Sequence, residues 1–198
     1  MEVAITAGVL MTIVLIVMFV RIGKAKAKRQ AFLEGYEFPS TIRSGVKEVY
    51  PHLEDNDLDK VEEGLRTYLR LCQNAGNRSL AMPSRAVDEA WHQFILVTAA
   101  YEAFCNEALG HFHHHTPAEY MGGDVQDAVK RIWRLSCEAE ELDPLKPTHL
   151  PQLFVLDETL KLADGLRYTT LANGGETFDV NKIGCGGGCA NQPVYDVT

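Results

Sequence analysis

The pattern of apolar and polar positions divides the chain sharply. From Val3 to Val20 there are eighteen residues without a charged side chain. As a helix that run rises about 27 Å, close to the thickness of a bilayer core, and it predicts a transmembrane anchor over 1–22. A basic juxtamembrane segment follows over 23–38, ending in Phe32, Leu33, Tyr36 and Phe38, with Gly35 and Pro39 closing the helix. Further on, apolar residues recur at helical spacing. The pattern predicts helices over Ser40–Tyr50, then from Asp57 as cap through Leu58, Val61, Leu65, Tyr68, Leu69 and Cys72 to just before Gly76. The longest, most aromatic stripe runs from Pro83-Ser84 through Trp91, Phe94, Tyr101 and Phe104 to Gly110, as one continuous helix at the centre of the domain.

Thr116-Pro117-Ala118-Glu119 reads as a capping box, and helices are expected over Asp124–Glu141 and Leu153–Leu162. Short strands are expected at Arg167–Leu171 and Thr177–Val180. The fold class is therefore mainly α: an N-terminal transmembrane helix, a compact multi-helix domain over 39–165, and a C-terminal part over 166–198 with short strands and an irregular Gly/Cys-rich tail.

Charge orients this arrangement. Arg21, Lys24, Lys26, Lys28 and Arg29 follow the apolar run, while Glu2 precedes it. Positive flanks stay on the cytoplasmic side, so the expectation is a single-pass protein of the cell membrane, N-terminus outside and C-terminal domain cytoplasmic. A cleaved signal peptide wants its basic residues on the other flank, and a soluble core helix is seldom apolar all round. Residues 30–198 hold 14 Lys and Arg against 26 Asp and Glu. Such a body lacks the basic footprint of a nucleic-acid binder; the expected partners are the lipid bilayer and a protein held at the membrane. Five cysteines, odd in number and scattered, argue against a disulfide framework. Cys72, Cys105 and Cys137 fall on apolar faces and read as small core residues.

Candidate chemistry concentrates between Val87 and Pro117. Asp88 and His92 stand four apart on one helix face. His111, His113, His114 and His115 place four of the seven histidines within five positions. Imidazoles with a carboxylate are the donor set of zinc or another transition metal. The principal candidates are His92, His114, His115 and Asp88, with His111 and His113 second. On a straight helix to Gly110, His92 and His111 stand about 28 Å apart, so a shared site requires the His-rich segment to fold back, or two chains to meet. Alternatively there are two sites, with His92 ligated from helix 57–75 or from the C-terminal part. Without a metal, Asp88 and His92 form a simple i, i+4 pair. Cys185 and Cys189, four apart in a glycine run, are a further candidate for a soft metal or a redox disulfide. No nucleophile elbow, phosphate loop, dinucleotide fingerprint or H-E-x-x-H is present.

The run Val87-Asp88-Glu89-Ala90-Trp91-His92-Gln93-Phe94-Ile95-Leu96, with Tyr101, Phe104-Cys105, Gly110 and His114-His115-Thr116-Pro117, resembles the glycine-rich domain-containing protein family, which has bacterial and plant members. The resemblance spans Phe38 to Leu160, including Tyr50-Pro51-His52-Leu53, Gly64-Leu65 and Ala81-Met82-Pro83-Ser84, and extends to the Gly/Cys-rich tail. It singles out Asp88, Trp91, His92, His114 and His115 and implies no particular reaction. Three functions compete. In the first, the domain binds a metal through His92, His114, His115 and Asp88. In the second it is a non-catalytic membrane adaptor or scaffold subunit, with Trp91 and His92 buried as architecture. In the third it is a metal-dependent hydrolase or oxidase, with Asp88 or Glu89 as general base.

Overall fold

A computed structural model of the protein describes residues 2–76, 78–115 and 125–168, with side chains from Leu10 in the first helix and from Asp127 in the sixth. The chain divides into two units, Met1–Tyr36 and Glu37–Thr198. Helix α1, Glu2–Glu34, makes up most of the first. Here the expected anchor needs correction, because no helix among the described residues is long and apolar enough to cross a membrane. The uncharged run from Val3 to Val20 rises about 27 Å, short of a hydrocarbon core of about 30 Å. The basic residues Arg21, Lys24, Lys26, Lys28 and Arg29 then interrupt the run. The single-pass localisation and its orientation fall with the anchor.

The second unit is helical: α2 Ser40–Val49, α3 Asp55–Ala75, α4 Arg85–Leu96, α5 Thr98–Phe104, a π-helical turn Cys105–Leu109, α6 Val125–Ala139 and α7 Gln152–Thr159. No strand occurs among the described residues; Arg167 and Tyr168 are irregular, and the rest of the expected strands, the 116–119 capping box and Cys185 and Cys189 lie outside those residues. Helix α3, with 21 residues, is the longest of this unit. Its capping box is formed by Glu54 and Asp57, so Glu54 and not Asp57 is the cap. It carries Leu58, Val61, Leu65, Tyr68, Leu69, Leu71 and Cys72 into the core and packs on α2, α4, α6 and α7. A Cβ on Gly64 would stand 2.8 Å from methyls of both Val87 and Leu156, so glycine lets α3 approach α4 and α7 together.

The stripe from Pro83 to Gly110 does not form one helix. It breaks at Val97, whose ψ of 62 lies outside the helical range. Phe94 meets Tyr101 and Phe104 edge-on at 5.1 and 5.2 Å, and Phe38 closes on Phe94 at 5.4 Å. This aromatic cluster rewards the bend, because a straight helix would spread these rings along its length. The π turn then ends at Gly110, at φ 79, a left-handed conformation that glycine adopts without penalty.

The start of α4 is held from a distance. Ser84 caps it, its Oγ accepting from the Val87 N–H, and the same hydroxyl donates to Asp157 at 2.6 Å. Asp157, 1% exposed on α7, also accepts from the N–H groups of Arg85, Ala86 and Leu166 at 2.8, 3.3 and 2.9 Å. An anion at this helix end satisfies orphan donors and complements the macrodipole. Asp157→Ala strands four donors, and we expect a loss of about 2–4 kcal/mol in urea denaturation. Glu63→Ala, which removes an exposed carboxylate standing 3.5 and 3.6 Å from Arg66 and Arg70, should stay within about 0.5 kcal/mol.

Candidate metal centre

Helix α4 presents Asp88 and His92 one turn apart, and the segment after Gly110 runs back along it. His115 Nε2 lies 3.1 Å from Asp88 Oδ1, and His92 Nδ1 lies 3.9 Å from Asp88 Oδ2. The His92 and His115 rings are 4.5 Å apart. One ligand atom from each of Asp88, His92 and His115 falls within 4.8 Å of the others. Two ligands of a tetrahedral zinc ion, each about 2.0–2.2 Å from the metal, stand roughly 3.3 Å apart, so small side-chain shifts close these three around a metal. Their chemistry fits as well: two imidazole nitrogens and one carboxylate oxygen suit a borderline divalent ion.

The three are unequally exposed. Asp88 and His115 side chains keep 13% and 17% of their surface, while His92 keeps 46%. Asp88 and His115 are thus largely covered by packing, and His92 faces solvent. An architectural role for the motif expects His92 buried beside Trp91; Trp91 is buried, His92 is exposed.

A pile of rings sets the position of His115. Trp91 is 4.4 Å from the His115 ring, stacks on His113 at 5.2 Å with planes 16° apart, and meets Tyr68 at 5.2 Å. The Trp91 Nε1–H donates to the Tyr101 hydroxyl at 3.0 Å, and Tyr101 donates in turn to the backbone carbonyl of His113. One buried hydroxyl therefore joins α4, α5 and the returning segment. Tyr101 entered the sequence pattern only as an apolar stripe position; nothing in its spacing marks the phenol as a bridge.

The histidines of the segment alternate in direction, as side chains of an extended strand do. His113 points with His115 toward the core and His114 away, exposed beside Phe112 at 4.7 Å. His111 lies 6.3 Å from His113. His114, His111 and His113 are not in the group with Asp88 and His92. His113 Nε2 approaches Cys72 Sγ at 3.4 Å, which raises the question of a Cys–His nucleophile. Burial answers it: the Cys72 thiol is pushed up to about 12, and His113 is pushed down to about 4, first by burial and then by the neighbouring histidines. Both partners are neutral at physiological pH, and a thiol without thiolate character is inert. Burial likewise raises Cys105. Glu89, the other candidate base, is engaged by the Gln93 amide at 2.7 Å.

Residues 28–188 match the UCP032817-like family, and the chain belongs to it. No curated protein and no solved structure matches the chain.

Tyr101→Phe leaves two buried groups, the Trp91 N–H and the His113 carbonyl, without this partner. We expect about 2–3 kcal/mol of destabilisation in urea. Amide hydrogen exchange should rise across 111–115 while α3 stays protected; equal exchange in both segments would contradict the bridging role.

Proposed function

We propose that this member of the UCP032817-like family binds a divalent transition-metal ion through Asp88, His92 and His115, with zinc as the ion that best suits the set. The observation carrying the reading is the convergence of these three side chains across 27 residues of sequence. The resemblance to glycine-rich domain-containing proteins, which rests on the same D-x-x-W-H and H-H positions, belongs to this reading.

The division of labour among the residues follows from their surroundings. Asp88 offers one oxygen toward each imidazole, so it bridges the two nitrogen donors. Trp91 and the Tyr101–His113 bond hold the His115 ring in place, so its nitrogen needs little reordering to bind. His92, on the solvent side, supplies the third bond and leaves the outward positions open. Three protein ligands with an open side are the pattern of catalytic zinc rather than of structural zinc, whose four positions are filled by the protein. A metal held there supplies Lewis acidity and a water of lowered pKa.

The test is metal titration of full-length protein stripped with chelator. We expect one zinc ion per chain and a fall in affinity of at least about 100-fold in His92→Ala and in His115→Ala. His114→Ala should change it by no more than about twofold, since that ring stands outside the group. Cobalt or copper should quench the Trp91 emission, and a Trp133→Phe background isolates that signal. Absence of stoichiometric metal in the wild type, or an His114→Ala loss equal to that of His115→Ala, would remove the reading.

A further inference from the structure

We infer that the open side of this centre takes a small oxyanion, a phosphate or carboxylate group, held jointly by the metal and by the guanidinium of Arg85. This deepens the metal reading and rests on it. Arg85 precedes Asp88 by three residues and His92 by seven on α4, so the three share one helix face, Arg85 one turn before the carboxylate.

Arg85 is distinguished by what it lacks. From Glu37 onward, every other arginine among the described residues reaches a protein oxygen. Arg43 reaches Asp59 and Glu62, Arg66 and Arg70 reach Glu63, and Arg134 reaches Glu138. The remaining three, at 78, 131 and 167, find backbone carbonyls. Arg85 makes no side-chain hydrogen bond or ion pair with the described residues, and its Nε is buried without a partner. The side chain as a whole is only partly buried. In a body with 26 acidic residues against 14 basic ones, a lone arginine is the exception.

The charge balance around it selects the ligand. A divalent ion with one carboxylate and two neutral imidazoles carries a net positive charge, and Arg85 adds another. Any further cation is repelled there, whereas an oxyanion satisfies both the open metal positions and the planar fork, which matches carboxylate and phosphate geometry. Elsewhere the acidic surface repels anions, so binding is confined to this face.

The experiment uses the full chain loaded with cobalt, whose visible spectrum reports changes at the metal. Inorganic phosphate is titrated in one arm and acetate in the other, into wild type, Arg85→Gln and Arg85→Lys, with metal content measured first in each. We expect a saturable spectral change in the wild type, a loss of anion affinity of about tenfold in Arg85→Gln at unchanged metal content, and partial recovery in Arg85→Lys, which keeps the charge but not the fork. The stronger arm identifies the anion class. Equal anion affinity in wild type and Arg85→Gln, or no saturable change with either anion in a cobalt-loaded wild type, overturns the inference while leaving the metal reading standing. A wild type that takes up no cobalt overturns the metal reading, seen before any anion is added, and this inference with it. Thermal unfolding of both variants shows whether the helix survives; if Arg85→Gln unfolds, Arg85→Lys decides, and undiminished anion affinity there is the overturning result.

Discussion

A single buried hydroxyl holds the candidate centre together. Tyr101 accepts from Trp91 on α4 and donates to the carbonyl of His113 on the returning segment. Asp88 and His115 are 27 residues apart, and chain closure over that distance costs entropy that grows slowly with length. The closure is set up locally: the break at Val97, the π turn and the left-handed Gly110 reverse the chain, and the phenol fastens it. Ring stacking of Trp91 on His113 and His115 adds apolar contact to the same junction. Irregular helical geometry in such a place is common at functional sites, where a π turn re-aims side chains that a regular helix would place elsewhere.

The other end of α4 is held by charge instead of rings. Asp157 gathers the Ser84 hydroxyl and three backbone N–H groups around a carboxylate that has almost no contact with solvent. The helix bearing Asp88 and His92 is thereby pinned at its first turn by α7 and at its last by the Phe94 cluster. Between these two fixings His92 faces solvent, while Arg85 is partly buried.

Burial also decides the chemistry that the neighbourhood does not perform. Cys72, Cys105 and His113 lie close to the centre and carry the residue types of a nucleophilic pair. Desolvation disfavours the charged form of each, so the thiols keep their protons and the imidazole gives its up. They pack as small apolar or weakly polar groups beside the cluster of Asp88, His92 and His115.

Periodicity alone placed the helices of the second unit to within a few residues, because each carries an apolar stripe that only a helix can bury on one side. It also put Cys72, Cys105 and Cys137 in the core, and it drew attention to Asp88, His92 and the histidine run through local spacing. The continuous helix from Pro83 to Gly110 was misread, since the rings that stabilise the bend at Val97 include Phe38, which is remote in sequence. The membrane anchor was also misread: a count of apolar residues does not establish a spanning helix. Which histidine joins Asp88 was beyond the sequence for a geometric reason. In an extended segment His113 and His115 share one face and His114 the other, and the face that turns inward is chosen by the Tyr101 bond and the Trp91 stack. Those contacts exist only in the folded chain, so residue types were legible in the sequence and their convergence was decided by tertiary structure.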